Sequence, residues 1–465
     1  MPLQTAPASA PRAPRTEYPP GPPPRRGGLG SLLYFWRFAT DSFGFVGERF
    51  EQYGDLYYAP SDGTGLYVLR HPDHIREVLA LRASHFRKQH TAMRRLSTVL
   101  GQGLLTADGD DWKRHRRMIQ PAFHRSRLRA YSEVMVEETE RVIADWKDGE
   151  VRDISREMID LTLRVVSRAL FSHDASAQTD TVAQGMRTLN TTLGRPELLP
   201  RWVPTLGRTR TRQAVEGLDV LVYDLVDERR AAIEQGEQAL PDDLLQALCN
   251  AVDHEGDGAG LTRTEVRDEL VTFLLAGHET TSHALAWTWL LLSRNPAQRQ
   301  RLHDELDGPL QRRAPDYDDL TALPLTERIL KESMRLYPPA FALARRAMED
   351  TQIGEWFVPR GAEVVIWTWW THHDPRWYPA PEVFRPDRFT PEAEATRPKM
   401  SYLPFGGGPR ACIGSTFSLM ESRLILATIA RRFELELLPG QRVGMKPGVT
   451  LAPKGGLPMR LRRRR

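Results

Sequence analysis

Cysteine is nearly absent from this 465-residue sequence, which has only Cys249 and Cys412. Two cysteines cannot build a disulfide framework, and a reducing compartment suits them better. Long apolar runs are missing as well. The most hydrophobic stretches, Ala284 to Leu292 and Val364 to Trp370, fall far short of the roughly 20 residues that span a bilayer. The Pro-rich N-terminus lacks the basic-then-apolar pattern of a signal peptide. These absences exclude a secreted disulfide scaffold and a transmembrane protein, and predict a soluble, cytoplasmic chain. Lysine is scarce, with seven among 64 basic residues, a bias that points to a GC-rich bacterial genome rather than to any physical need. A basic body is also lacking. Five Arg crowd the last six residues, and Arg12, Arg15, Arg25 and Arg26 outweigh Glu17 near the start, so the body between them is mildly acidic. A nucleic-acid protein carries its charge on the folded body, and that class is set aside.

What is present is a globular balance of 40% hydrophobic and 27% charged residues, enough to bury a large core and enclose a ligand. Residues 1–28 read as a disordered leader, in which Pro19-Pro20-Gly21-Pro22-Pro23-Pro24 favours an extended polyproline conformation. No linker or repeat interrupts the chain after Leu29. The spacing therefore predicts a single domain over 29–459 and a basic tail over 460–465. Apolar residues recur at three and four over Leu128 to Trp146, Val215 to Glu234, Arg263 to Arg294, Pro296 to Leu306 and Leu325 to Leu336. Thr262-Arg263-Thr264-Glu265 supplies the start signal for the longest of these, a helix that should cross the molecule. Strand-like segments are few: Leu66 to Leu69, Gly361 to Ile366 and Phe433 to Leu438. Trp356 to Pro409, thick with Pro, Trp and Gly, reads as mostly irregular loop. The fold class is mainly α with small β-sheets.

Four segments carry candidate chemistry. In Phe405-Gly406-Gly407-Gly408-Pro409-Arg410-Ala411-Cys412-Ile413-Gly414, a Gly-rich loop leads into a helical pattern from Ser415 to Phe433. Such a loop lets backbone approach a ligand, and the helix start favours thiolate at Cys412. One thiolate can hold a haem iron from one side. A structural cysteine after a turn has the same local pattern. Cys249 lacks that context and reads as a packed helix residue. Ala276-Gly277-His278-Glu279-Thr280-Thr281 interrupts the apolar centre of the long helix. Its small residues open a groove for a flat cofactor or dioxygen, Glu279 can relay protons, and Thr280 can bond either its own helix or a bound oxygen. A solvated helix face with a hydroxyl back-bond is the alternative. Glu332 and Arg335 stand at i and i+3, and Arg388 in Pro386-Asp387-Arg388-Phe389 can join them in a buried network. Trp112 and Arg116, one turn apart, suit a pair of carboxylates.

The order of these segments, with Phe405, Gly408, Arg410, Cys412 and Gly414 filling the loop pattern Phe-x-x-Gly-x-Arg-x-Cys-x-Gly, resembles the cytochrome P450 family from about residue 29 onward. The resemblance implies the P450 fold, a long central helix over a buried haem b, with Cys412 as its metal ligand. It implies that Phe405 packs on the sulfur and that Gly406, Gly414 and Ala276 lie at the haem. Trp112, Arg116, Arg345 and Arg410 fall where the family binds the propionates, with Arg346 the rival for Arg345. Glu332, Arg335 and Arg388 resemble a structural triad behind the haem. Glu279 and Thr280 resemble the catalytic acid–alcohol pair, with Glu where many bacterial relatives have Asp. Leu105, Ala276 and Ala340 should line the substrate pocket, and the 190 to 215 stretch should roof it.

The implied activity is a monooxygenase that inserts one oxygen atom from O2 into a hydrophobic small molecule of fatty acid, terpene or polyketide type. A haem-thiolate peroxygenase and a non-catalytic haem-binding protein are the alternatives, and the acid–alcohol pair disfavours both. The sequence after the last strand leaves no room for a fused flavin reductase. Electrons are therefore expected from a ferredoxin or flavodoxin with its NAD(P)H-dependent reductase, and the enzyme is expected to be a monomer. Lys113, Arg114, Arg117 and Arg423 are candidates to frame the donor's docking face.

Overall fold

Thr262 sets the longest helix. Its Oγ1 accepts from the Glu265 N–H at 3.2 Å, and the Glu265 carboxylate accepts from the Thr262 N–H at 2.7 Å, a reciprocal cap. The computed structural model describes residues 17–23, 29–60, 64–173, 205–256 and 258–464. Its helices of ten residues or more are α1 (Leu29–Thr40), α2 (Ser42–Tyr53), α3 (Thr91–Leu100), α4 (Gly109–Ile119), α5 (Arg125–Ile143) and α6 (Ile154–Phe171). They continue with α7 (Leu206–Glu234), α8 (Arg263–Arg294), α9 (Pro296–Leu310), α10 (Pro324–Leu336) and α11 (Ser415–Ala430). The strands are β1 (Leu56–Ala59), β2 (Leu66–Leu69), β3 (Phe86–Arg87), β4 (Val151–Asp153), β5 (Leu343–Ala347) and β6 (Thr351–Ile353). Further on come β7 (Trp356–Val358), β8 (Glu363–Ile366), β9 (Phe433–Leu437), β10 (Gly444–Pro447), β11 (Leu451–Lys454) and β12 (Pro458–Arg463).

The bounds of α8 and β2 match the sequence pattern residue for residue. Other ends move where a cap or packing overrides periodicity. Helix α7 begins at Leu206, not Val215, because the Thr205 hydroxyl accepts from the Arg208 N–H at 3.3 Å. The Trp356 to Pro409 stretch holds β7, β8 and short helices rather than loop alone.

The backbone forms two compact units. The smaller takes Met1–His90, Ala342–Thr371 and Pro398–Arg410. Its sheet has the order β1-β2-β8-β5-β3, with β2 and β8 parallel and the other pairs antiparallel. Tyr67, Leu69, Ile75, Ile353, Val364 and Ile366 form the core beneath it. The expectation of a disordered leader fails for residues 17–23. The Tyr58 N–H donates to the Pro20 carbonyl at 3.0 Å, and Tyr18 stacks on Tyr58 with ring centroids 4.8 Å apart. Residues 1–16 and 24–28 lie outside the described residues.

The larger unit takes Thr91–Phe341, His372–Arg397 and Ala411–Arg465. Helix α8 is its axis, buried from Val266 to Leu292 almost without interruption. The basic tail is not a tail. Arg460 to Arg463 form part of β12, the middle strand of the sheet β4-β12-β9. Met459 and Leu461 face the core, while Arg462 and Arg463 are exposed, a period-two alternation hidden inside a run of Arg.

Candidate active site

Between Val266 and Leu292, the only residues of α8 that keep partial exposure are Ala276, Gly277 and Thr280. They stand at i, i+1 and i+4, so they share one face and open it at the centre of a buried helix. A side chain at Gly277 would put its Cβ 3.1 Å from a Val166 methyl of α6, so glycine permits the close approach of the two helices. Thr280 Oγ1 donates to the Ala276 carbonyl at 2.7 Å. Its hydrogen is thus committed to the helix, and the oxygen offers lone pairs to the opening.

Glu279 points into the protein, 5% exposed. Its carboxylate accepts from Thr450 Oγ1 at 2.7 Å, and that hydroxyl lies 3.0 Å from His283 Nδ1. Since the Thr450 hydrogen goes to Glu279, His283 donates through Nδ1–H. Burial lowers the His283 pKa to about 3 and the His278 pKa to about 4, so both rings are neutral at pH 7. One turn further on, Trp287 Nε1 donates to the Leu451 carbonyl at 2.8 Å. Glu279, His283 and Trp287 form one stripe of α8 that grips Thr450 and Leu451. The Leu451 N–H donates to the Pro339 carbonyl at 3.0 Å, which brings half-buried Ala340 to the same neighbourhood.

Cys412 lies two residues before Gly414, the N-cap of α11, and is exposed, whereas Cys249 is half-buried. No side chain caps the first turn of α11. Arg116 donates to the Ala411 carbonyl at 3.0 Å. Burial lowers the Arg116 pKa, and a thiolate at Cys412 would oppose that fall. Trp112, one turn before Arg116 on α4, is also half-buried. Thr281 and Ser418 hydroxyls meet at 3.0 Å, joining α8 to α11, and Phe123 packs on both Phe273 and Phe417. The larger unit alone therefore unites a thiol at a helix start, a Trp–Arg pair beside it and a groove of small residues on α8. That donor set fits a haem held by one thiolate with its carboxylates on N–H donors.

Glu332, Arg335 and Arg388 meet, all buried. Arg335 reaches the Glu332 carboxylate at 2.7 and 3.0 Å, and Arg388 Nε lies 3.3 Å from it. Arg335 also donates to the carbonyls of His372 and Pro381, and Arg388 to those of Pro379 and Ala380.

The smaller unit holds Arg345, Phe405, Gly406 and Arg410. Arg345 is buried, with its guanidinium on the Ala344 carbonyl at 2.8 Å, while its rival Arg346 is half-buried. Phe405, Gly406 and Arg410 are half-buried. At Gly408, with φ +68°, a Cβ would fall 1.7 Å from the Leu79 carbonyl oxygen, so no other residue fits.

The four cations expected to frame a docking face are all ion-paired. Arg114 pairs with Glu265 at 2.6 Å, Arg117 with Asp253 at 2.9 Å and Lys113 with Asp110 at 2.7 Å. Arg423 is half-buried, pairs with Glu327 at 2.9 Å and donates to the Leu320 carbonyl. Each charge is answered by a nearby carboxylate. Residues 190–204 of the expected roof lie outside the described residues.

Sequence reasoning missed Thr450, which holds Glu279 from behind, His283, which meets Thr450, and His115, which meets Glu269 and Glu265. It also missed Glu421 of α11, fully buried, whose carboxyl burial holds well above the usual range. Only His115, inside the Trp112 to Arg116 segment, carried a visible signal.

The family model for Cytochrome P450 matches residues 19–457. The chain is 36% identical over 406 residues to cyclooctatin synthase of Streptomyces melanosporofaciens, covering 86% of this chain and 87% of that one. It is 34% identical to pentalenene oxygenase of Streptomyces avermitilis, covering 83% and 85%. The fold matches the crystal structure of the cytochrome P450DA heme domain with a TM-score of 0.82 at 28% identity, over 98% of this chain and 99% of that one. No described helix is long and apolar enough to cross a membrane.

Proposed function

Because this chain belongs to the cytochrome P450 family and is a haem-thiolate monooxygenase, we propose that it inserts one oxygen atom from O2 into a hydrophobic small molecule, a terpene-type hydrocarbon ahead of a fatty acid or polyketide. The names of its similar relatives support that order of substrate classes. The haem is taken as haem b. Its electrons come singly from a ferredoxin or flavodoxin with an NAD(P)H-dependent reductase, and the enzyme works as a cytoplasmic monomer.

The bound haem supplies the redox chemistry and oxygen activation. Cys412 holds the iron, while Trp112 and Arg116 offer N–H donors to the propionates. The roles of Arg345, Phe405, Gly406, Arg410 and Gly414 at the haem rest on sequence correspondence. Ala276 and Gly277 leave room on α8, and Leu105 and Ala340 keep the pocket apolar, which excludes water from the reacting centre. Thr280 Oγ1, its own hydrogen bonded to Ala276, acts as an acceptor that orients a proton donor at the opening. Glu279 carries protons inward from the Thr450–His283 side. Glu332, Arg335 and Arg388 stabilise the fold and take no part in the chemistry.

One observation carries this reading: between Val266 and Leu292, α8 is open only at Ala276, Gly277 and Thr280, next to Glu279. The test is a titration of the haem-loaded protein with terpenes, fatty acids and polyketides, followed by turnover with ferredoxin, reductase and NAD(P)H. A low-to-high-spin shift and an oxygenated product from a terpene support it. Product from fatty acids alone overturns the substrate class, and no product from any class overturns the reading.

A further inference from the structure

The segment between α3 and α4 bends over the N-terminal half of α8 and is held there by two consecutive acids. Asp268 accepts from the Gln102 N–H at 2.7 Å, and Glu269 accepts from the Leu104 N–H at 3.0 Å. Both acids are buried, Glu269 completely. The loop is shaped to reach them. Gly101 has φ +66°, and a Cβ there would lie 2.1 Å from the Asp268 carboxylate; one on Gly103 would lie 2.5 Å from Thr272 Oγ1. Thr106 Oγ1 lies 2.7 Å from the Gly101 carbonyl and 3.1 Å from that of Gly103, and the Ala107 N–H donates to Gly103, so the bend is closed on itself. Two glycines too close to α8 for any side chain and two carboxyl acceptors on alternate amides make a fitted joint.

Each acid has a second partner. Arg267 holds Asp268 at 2.8 Å, and also reaches the Val99 carbonyl and Asp219 of α7. His115 Nδ1 lies 2.6 Å from Glu269, and its Nε2 lies 3.4 Å from Glu265. Burial alone would lower the His115 pKa, but the Glu269 and Glu265 carboxylates raise it instead. His115 sits on α4 between Trp112 and Arg116.

We propose that Asp268 and Glu269 are positioning residues that latch the Gly101–Ala107 loop, and with it Leu105, onto α8, and that His115 ties this latch to the helix presenting Trp112 and Arg116. Where Leu105 stands over the pocket is then fixed by buried charge and not by the pocket's own apolar contacts. The loop's register, and hence the shape of ligand admitted, depends on residues about two helical turns from the opening at Ala276. That consequence rests on the function proposed above; the latch does not.

The test is amide hydrogen exchange of the full-length, haem-loaded Glu269→Gln and Asp268→Asn variants. A hydrogen bond to a charged acceptor contributes about 1.5–3 kcal/mol, so exchange over 101–107 should speed up roughly tenfold or more in each variant. The C-terminal half of α8 should keep its protection. Dissociation constants for a hydrophobic azole should rise by a similar factor with haem content unchanged. Asp268→Asn leaves the His115–Glu269 pair intact, so it carries the test if Glu269→Gln fails to fold. Unchanged exchange over 101–107, or an equal rise along all of α8, overturns the proposal. A faster-exchanging loop in a protein that oxidises none of the tested classes leaves the latch standing and removes only the substrate reading.

Discussion

Replacing Glu332 by Gln removes the carboxylate that Arg335 and Arg388 share. Arg335 is 0% exposed and Arg388 is 7% exposed, so neither guanidinium can turn to water. Breaking a buried pair from one side costs about 3–5 kcal/mol, because the remaining charge stays buried and uncompensated. Two features pull toward the lower figure. The guanidiniums keep four backbone carbonyls, from His372, Pro381, Pro379 and Ala380, and Gln keeps one acceptor oxygen. With its oxygen at the Oε1 position, where Arg335, Arg385 and Arg388 converge, Gln still loses the charge and the Oε2 acceptor that Arg335 grips at 2.7 Å. For 465 residues, an unfolding entropy of about 2.1 cal/mol/K per residue makes 3 kcal/mol worth roughly 3 °C in Tm. Calorimetry of Glu332→Gln beside Glu216→Gln reads the difference directly. Glu216 pairs with Arg212 on an exposed face of α7, where such a pair contributes at most about 0.5 kcal/mol. A Glu332 variant that melts within half a degree of the Glu216 variant refutes the reasoning.

Thr280→Ala should retain haem and ligand binding while product formed per NAD(P)H falls severalfold and peroxide rises; unchanged coupling places the oriented proton donor elsewhere. Gly408→Ala should give no soluble, haem-loaded protein, since its Cβ meets the Leu79 carbonyl at 1.7 Å, and normal yields would contradict that packing. His278 and His283 have folded pKa values of about 4 and about 3, below the ordinary 6.5. Their stabilising contribution is therefore complete above pH 6.5 and is lost as pH falls, at about 1.4 kcal/mol per pH unit for each ring. His115, raised by Glu269 and Glu265, contributes with the opposite sign and offsets part of this. Urea titrations at pH 7, 6 and 5 should show falling stability, with a shallower slope in His283→Gln; a flat profile contradicts neutral buried rings.

The parts of the site written into short stretches were legible. Gly, Pro and Cys punctuate 405–414, and the polar cluster at 278–281 interrupts an otherwise apolar helix. The start of α8 was legible because a capping box is local chemistry. Partners brought together by topology were not: Thr450 meets Glu279 across 171 residues, and Leu104 meets Glu269 across 165. The Arg-rich end misled because net charge drew attention away from the alternation of Met459 and Leu461. The pairing of the candidate docking cations was hidden for a related reason. A count of cations says nothing of the carboxylates folding sets against them, such as Glu265 against Arg114 and Glu327 against Arg423.

The central claim is that Cys412 holds the haem iron. The direct measurement is the carbon-monoxide difference spectrum of the reduced protein for the parent, Cys412→Ser and Cys249→Ser. The account predicts the red-shifted Soret band of thiolate ligation in the parent and in Cys249→Ser, and its loss in Cys412→Ser. A red-shifted band that persists in Cys412→Ser, or vanishes in Cys249→Ser, would contradict it.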